Sequence, residues 1–137
     1  MAGAQSPRAT VPLIDPGVYE LMTGGYWKNE RQSGTIRVVV LMEGWEAIRH
    51  RMFVQWIEER SEAHEARLVA TREVADVVSN CYSLVSPSLS LKGGRWILVA
   101  KASSAPMKRT SQNISIVLGA PGELTPLKHC TPAPLDG

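Results

Sequence analysis

Short apolar runs, separated by turn signals about every ten residues, constrain the fold of this chain more than any other feature of its sequence. The turn signals combine glycine, serine and proline, and they occur at TGG (23–25), SG (33–34), EG (43–44), SPS (86–88), KGGR (92–95) and GAPGE (119–123). The runs between them have the length of strands rather than of helices. This spacing is typical of an all-β sandwich or barrel.

The composition of the runs also favours strands. The runs are GVYELM (17–22), TIRVVVLM (35–42), YSLVSPSLSL (82–91), RWILVAKA (95–102) and QNISIVLG (112–119). β-Branched residues are dense in TIRVVVLM and QNISIVLG, and apolar residues alternate with serine in YSLVSPSLSL and QNISIVLG. Pro87 predicts an edge strand or a bend, since proline cannot donate to a sheet ladder. Gly93 and Gly94 predict a tight hairpin turn, because both accept positive φ.

The segment 45–57 is compatible with two structures. On one helical face, six of seven positions are apolar, which favours a helix that could continue to residue 67 and give an α+β fold. A hairpin is the alternative, because Phe53, Val54, Trp56 and Ile57 are residues that strands prefer. On balance we predict the hairpin.

The hairpin prediction includes a register. A three-residue loop, Glu43-Gly44-Trp45, would place Val40 opposite Ile48, Val38 opposite His50 and Ile36 opposite Met52. All apolar even positions would then share one face, as a half-buried sheet requires. The same register sets Arg37 opposite Arg51, an unfavourable like-charge pair.

We therefore predict one domain over residues 1–137, a mostly antiparallel β-sandwich or open barrel of about 7–8 strands. Residues 58–67 would form an exposed connection to a further strand at 68–78. The ends, 1–16 and 124–137, are rich in proline and are expected to be extended or irregular.

The two cysteines and the first residues bear on the compartment. Cys81 and Cys130 are too far apart for a metal or redox CxxC motif, but in an oxidising compartment they could pair. AGA (2–4) has the form of a signal-peptidase site, so we expect an exported protein if Met1 replaces a removed signal peptide and a cytoplasmic one otherwise. No apolar run reaches the roughly 18 residues of a membrane span, so no transmembrane segment is predicted.

The sequence contains no recognisable catalytic or metal-binding motif. His50, His64 and His129 are widely separated, and no metal site or cofactor is expected. The carboxylates around Glu58 are interpreted as a solvated acidic face. An enzyme remains one alternative, with a site assembled from distant residues such as His50 with Glu46 or Glu58.

Binding is the class of function that the sequence favours. The net charge of +2 is too small for the basic surface of a nucleic-acid-binding protein. Tyr26 and Trp27 lie between glycines and charged residues in a predicted loop, where an exposed aromatic pair is hard to explain by packing. We therefore predict a non-enzymatic module that binds a protein partner through a sheet edge or through Tyr26, Trp27, Lys28 and Arg31. Strand-edge pairing would also allow a homo-oligomer, and a ligand-binding barrel is a further alternative.

Overall fold

The computed structural model describes residues 15–45, 49–75, 81, 83–103 and 111–131. Its strands are β1 (Val18–Lys28), β2 (Ser33–Glu43), β3 (Arg49–Glu58), β4 (Arg67–Glu73), β5 (Ser83–Lys92), β6 (Arg95–Ser103), β7 (Ser111–Leu118) and β8 (Leu124–Lys128). They form two antiparallel sheets of four strands, in the orders β1-β2-β3-β4 and β5-β6-β7-β8. The prediction of an all-β fold with about 7–8 strands is confirmed.

One hydrophobic core is shared by the two sheets, which gives a β-sandwich. Strict alternation along β2 and β3 turns the even-numbered side chains inward, so that Val38, Met52 and Trp56 are buried. The fully buried side chains facing them from the second sheet are Leu84, Leu98, Ala100, Ile114 and Ile116. The alternation of inward and outward side chains along the strands therefore gives each sheet one apolar face, and the two apolar faces pack against each other.

Segment 49–58 is the second strand of a hairpin with β2, as predicted, and not part of a helix. The predicted register is wrong, because Val38 pairs with Val54 instead of His50. The connection from Glu43 to Arg49 is longer than the proposed three residues, although Gly44 does have a positive φ of 103°. Since the displacement is an even number of residues, the inward and outward faces are unchanged. Ile48 lies outside the described residues.

The observed register removes the like-charge pair that the predicted one contained. Arg37 pairs with Gln55, and its Nε donates a hydrogen bond of 2.8 Å to Oε1 of that residue. Arg51 instead donates to both carboxylate oxygens of Glu73 on β4, at 2.8 and 2.6 Å, and to Glu43 at 3.0 Å. The guanidinium lowers the pKa of the Glu73 carboxyl by hydrogen bonding to its charged form.

Two local turn predictions in the second sheet are confirmed. Gly93 and Gly94 join β5 to β6 with φ angles of 58° and 77°. Pro87 lies in the edge strand β5, where the pairing with β6 shifts register and Ser86 adopts a φ of 56°. Both features follow from local chemistry, since glycine readily accepts the positive φ of a tight turn and proline cannot donate a hydrogen bond to a ladder.

A disulfide bond joins Cys81, just before β5, to Cys130, just after β8, with 5.5 Å between the Cα atoms. The bond links the chain segments that enter and leave the second sheet. Cys130 is completely buried. Residues 124–128 of the C-terminal end form β8. Of the predicted strand 68–78, residues 68–73 lie in β4, and residues 76–78 lie outside the described residues. In the part of the chain that the structure describes, no helix is long and apolar enough to cross a membrane.

Candidate functional site

A cleft of about 560 Å³ opens at one end of the sandwich, where the β1–β2, β5–β6 and β7–β8 turns meet. Both sheets contribute to it. Its apolar and aromatic lining residues are Tyr26, Trp27, Ile36, Leu91, Trp96, Val117, Leu118, Ala120 and Pro121. The charged residues of its lining are Lys28, Arg95 and Glu123.

A bulge in β1 builds one wall of the cleft. The pairing of β1 with β2 shifts register between Gly24 and Tyr26, and Gly25 between them has a φ of 64°. Before the bulge the even positions face inward, and Met22 packs against the core. After it the odd position Trp27 is buried, because one extra residue reverses the alternation.

The same glycine allows the two walls of the cleft to meet. A Cβ atom built on Gly25 would lie 3.1 Å from Cδ2 of Trp96, closer than carbon atoms normally approach. Trp96 is partly buried and packs against the core from β6. Gly25 is thus required both by its backbone conformation and by its contact with the indole ring.

The prediction of an exposed aromatic pair in a loop is wrong for Trp27. Residues 24–28 belong to β1, and only residues 29–32 form the turn to β2. Trp27 is 6% exposed and belongs to the hydrophobic core, and its Nε1 donates a hydrogen bond of 3.1 Å to the Thr35 carbonyl. Tyr26 is 63% exposed.

Only three of the four residues that we predicted to form a binding surface line the cleft. Tyr26, Trp27 and Lys28 line it, whereas Arg31 lies in the β1–β2 turn and lines a separate shallow surface. In that turn, Asn29 Oδ1 accepts hydrogen bonds from two backbone amides, those of Arg31 at 2.9 Å and of Gln32 at 2.8 Å.

The wall that the second sheet contributes is not indicated by the sequence. Leu91 and Trp96 are paired across the β5–β6 hairpin, and Leu91 is 57% exposed. The Gly93-Gly94 turn predicts that Leu91 and Trp96 are paired, because a two-residue turn fixes the register of the residues on either side of it. The turn does not reveal that Leu91 and Trp96 lie beside β1, because this is a contact between two different sheets.

The cleft carries more positive than negative charge. Both Lys28 and Arg95 are exposed, and no carboxylate of the described residues lies within ion-pair distance of either. The carboxylate of Glu123 instead accepts a hydrogen bond of 3.1 Å from the backbone amide of Ala120 in its own turn. A ligand with a negative group and apolar groups would therefore complement this surface.

The edges of both sheets are poorly suited to strand addition. Register shifts occur where β1 pairs with β2, where β3 pairs with the edge strand β4, and where β5 pairs with β6. The remaining edge strand, β8, is five residues long and contains Pro126. Bulges, short strands and proline at edges disfavour pairing with another chain. The cleft is therefore the stronger candidate for a binding site.

The alternative site around His50 is not assembled with Glu58. His50 Nδ1 lies 2.9 Å from the backbone nitrogen and 3.0 Å from the carbonyl oxygen of Leu84, and its ring is 4.9 Å from that of Tyr19. Glu58 lies eight residues further along β3, about 26 Å away at about 3.3 Å per residue. The pairing of His50 with Glu58 is therefore wrong, and Glu46 lies outside the described residues.

Glu58 has a structural environment that differs from the predicted solvated face. It is buried, and Oε1 accepts a hydrogen bond of 2.8 Å from Arg67, while His64 lies 3.6 Å from its second oxygen. The hydrogen bond from Arg67 lowers the pKa of the Glu58 carboxyl. Among the residues that the structure describes, no group of three or more histidine, cysteine or acidic side chains could hold a metal ion.

Fold and site together define a two-sheet β-sandwich with an aromatic cleft at one end. Comparisons of the chain with protein families, with curated proteins and with solved structures found no match.

Proposed function

We propose that this protein is a non-enzymatic interaction module and that its end cleft receives apolar side chains from a segment of a partner protein. The observation that carries the proposal is the exposure of Tyr26 and Leu91, at 63% and 57%, beside the partly buried ring of Trp96. Aromatic and large aliphatic side chains around a concave surface are the usual anchoring points of protein interfaces.

The dimensions of the cleft are consistent with this role. A volume of about 560 Å³ lies within the range of specific binding sites and is sufficient for a few side chains. The buried residues Gly34, Ile36 and Trp27 support one wall from strands rather than from mobile loops. A binding surface held by strands loses little conformational entropy when its partner binds.

A ligand-binding barrel is less well supported. Such a protein needs an apolar cavity in its interior, whereas Val38, Val54, Leu98 and Ile116 fill the space between the sheets and are completely buried. The cleft lies at the end of the sandwich and is open to solvent. It is thus suited to part of a larger molecule.

Selection of peptides from a random heptapeptide display library on the immobilised full chain tests the proposal. Peptides that bind the wild type should bind the double variant Tyr26→Ala/Leu91→Ala at least about tenfold more weakly, because single interface anchors typically contribute more than about 1 kcal/mol each. Dissociation constants would be measured by fluorescence anisotropy.

Leu127→Ala is the matched control, since Leu127 is an equally exposed leucine, at 58%, that does not line the cleft. It should leave peptide affinity unchanged. Both variants should keep the melting temperature of the wild type, because the altered side chains are more than 40% exposed in each. If no peptide is enriched, or if enriched peptides bind the double variant as tightly as the wild type, the cleft is not the binding site.

A further inference from the structure

We infer that the segment bound in the cleft carries an aspartate or glutamate side chain next to a large apolar side chain. This inference rests on the proposed function and narrows it to one class of partner sequence. It follows from two cations that lie beside aromatic residues on opposite walls.

The first observation is the arrangement of charge along each wall. In the first sheet, Lys28 follows Tyr26 by two residues near the end of β1. In the second sheet, Arg95 directly precedes Trp96 at the start of β6. The close approach of Gly25 to Trp96 brings these two strand ends together. Each wall therefore presents an aromatic ring and a cation at the same end of the sandwich.

The second observation is that these cations are not neutralised within the protein. Elsewhere on the described surface, Arg51 and Arg67 are held by carboxylates at 2.6–3.0 Å, whereas Lys101 and Lys128 have no carboxylate partner. Lys28 and Arg95 have no such partner among the described residues, and Glu123 is already bound to the backbone of its own turn. A carboxylate from a partner would supply the missing counter-charge.

The number of cations favours a single carboxylate over a polyanion. Two cations and one carboxylate line the cleft, and the whole chain has a net charge of only +2. Binding to a nucleic-acid backbone depends on neutralising several phosphates at once, which this lining cannot do. An extended peptide can place one acidic side chain at the charged rim while its neighbour occupies the aromatic part of the cleft.

The test starts from the cleft-dependent peptides of the display selection. We expect an acidic residue next to an aromatic or large aliphatic residue in most of them. Replacing that acidic residue by its amide should weaken binding to the wild type about three- to tenfold in 50 mM salt, with a smaller effect in 500 mM salt, because both charges are solvent-exposed.

Charge removal from the protein provides the reciprocal measurement. The double variant Lys28→Gln/Arg95→Gln should lose affinity for the acidic peptide to a similar extent and should no longer distinguish it from its amide. Lys101→Gln/Lys128→Gln is the matched control, since both lysines are exposed and neither lines the cleft. This control should retain discrimination between the two peptides.

The outcomes separate the two proposals. Peptides that need Tyr26 and Leu91 but bind equally well as acids and amides would overturn the inference and leave the proposed function intact. Equal losses in the two charge variants would show a general effect of net charge and would also overturn the inference. The absence of any cleft-dependent peptide would overturn both proposals.

Discussion

The contact between Gly25 and Trp96 determines the shape of the cleft, and the substitution Gly25→Ala tests it. The residue has a φ of 64°, in the left-handed region, where a side chain costs about 1–2 kcal/mol. The new Cβ would also lie 3.1 Å from Cδ2 and 3.3 Å from Cε2 and Cε3 of the indole. Displacing a packed ring by such a contact typically costs about 1–3 kcal/mol. We therefore expect a total loss of about 2–5 kcal/mol.

Gly93→Ala separates the two contributions. Its φ of 58° is close to that of Gly25, but nothing lies within 4 Å of a Cβ built there. This variant should lose only the backbone contribution of about 1–2 kcal/mol. Both substitutions restrict the unfolded chain to the same extent, so that effect cancels from the difference between them.

Free energies of unfolding would be measured by urea denaturation followed by far-UV circular dichroism, with linear extrapolation to water. A double-mutant cycle with Trp96→Leu assigns the excess loss at Gly25 to the indole, because the excess should shrink by about 1 kcal/mol or more once the ring is absent. Equal losses in Gly25→Ala and Gly93→Ala, with no coupling to Trp96, would refute the packing described for the cleft.

Three further predictions concern the core, the disulfide and an ion pair. Trp27→Ala should lower the free energy of unfolding by about 3–5 kcal/mol in urea denaturation, as expected for a buried tryptophan, whereas Tyr26→Ala should change it by less than about 1 kcal/mol; equal effects would mean that Trp27 is not in the core. Replacing both Cys81 and Cys130 by serine should cost about 4 kcal/mol in the same assay, from the loop entropy of a separation of 49 residues, and a reductant should not destabilise that variant further. Glu73→Gln should cost no more than about 1 kcal/mol at pH 7. Because the folded pKa of Glu73 is lowered from 4.5, this difference should be complete above that pH and should be lost as the pH falls through the folded value; a difference that does not decrease as the pH falls would contradict the prediction.

The fold could be predicted from the sequence because its main signals are local. The Gly93-Gly94 turn and the bulge at Pro87 follow from the backbone preferences of those residues. Alternation of apolar residues assigned the inward face of β3 correctly. The register of β3 was not accessible in the same way, because every even displacement keeps the same face inward and the loop length is not encoded in the apolar pattern.

The candidate site was only half accessible from the sequence. The unusual density of aromatic and charged residues at Tyr26, Trp27 and Lys28 indicated one wall. The other wall, Arg95 and Trp96, reads as an ordinary strand, and its role depends on packing between two sheets. Contacts between sheets do not change the alternation of apolar and polar residues within either strand, so the sequence pattern cannot predict them.

The bulge at Gly25 nevertheless follows from a physical contradiction in the sequence of β1. If β1 were regular, the inward face that contains Met22 would continue through residues 24 and 26 to Lys28, and Trp27 would face solvent. That arrangement would bury a lysine without a partner and expose a tryptophan, and both are unfavourable. One extra residue at Gly25 reverses the two assignments, so that Trp27 enters the core while Tyr26 and Lys28 stay exposed at the cleft. An odd spacing between two inward-facing apolar residues, with a glycine between them, therefore indicates a bulge rather than a loop. In this protein that bulge also brings Gly25 against Trp96 and leaves Tyr26 and Lys28 in the lining of the same cleft.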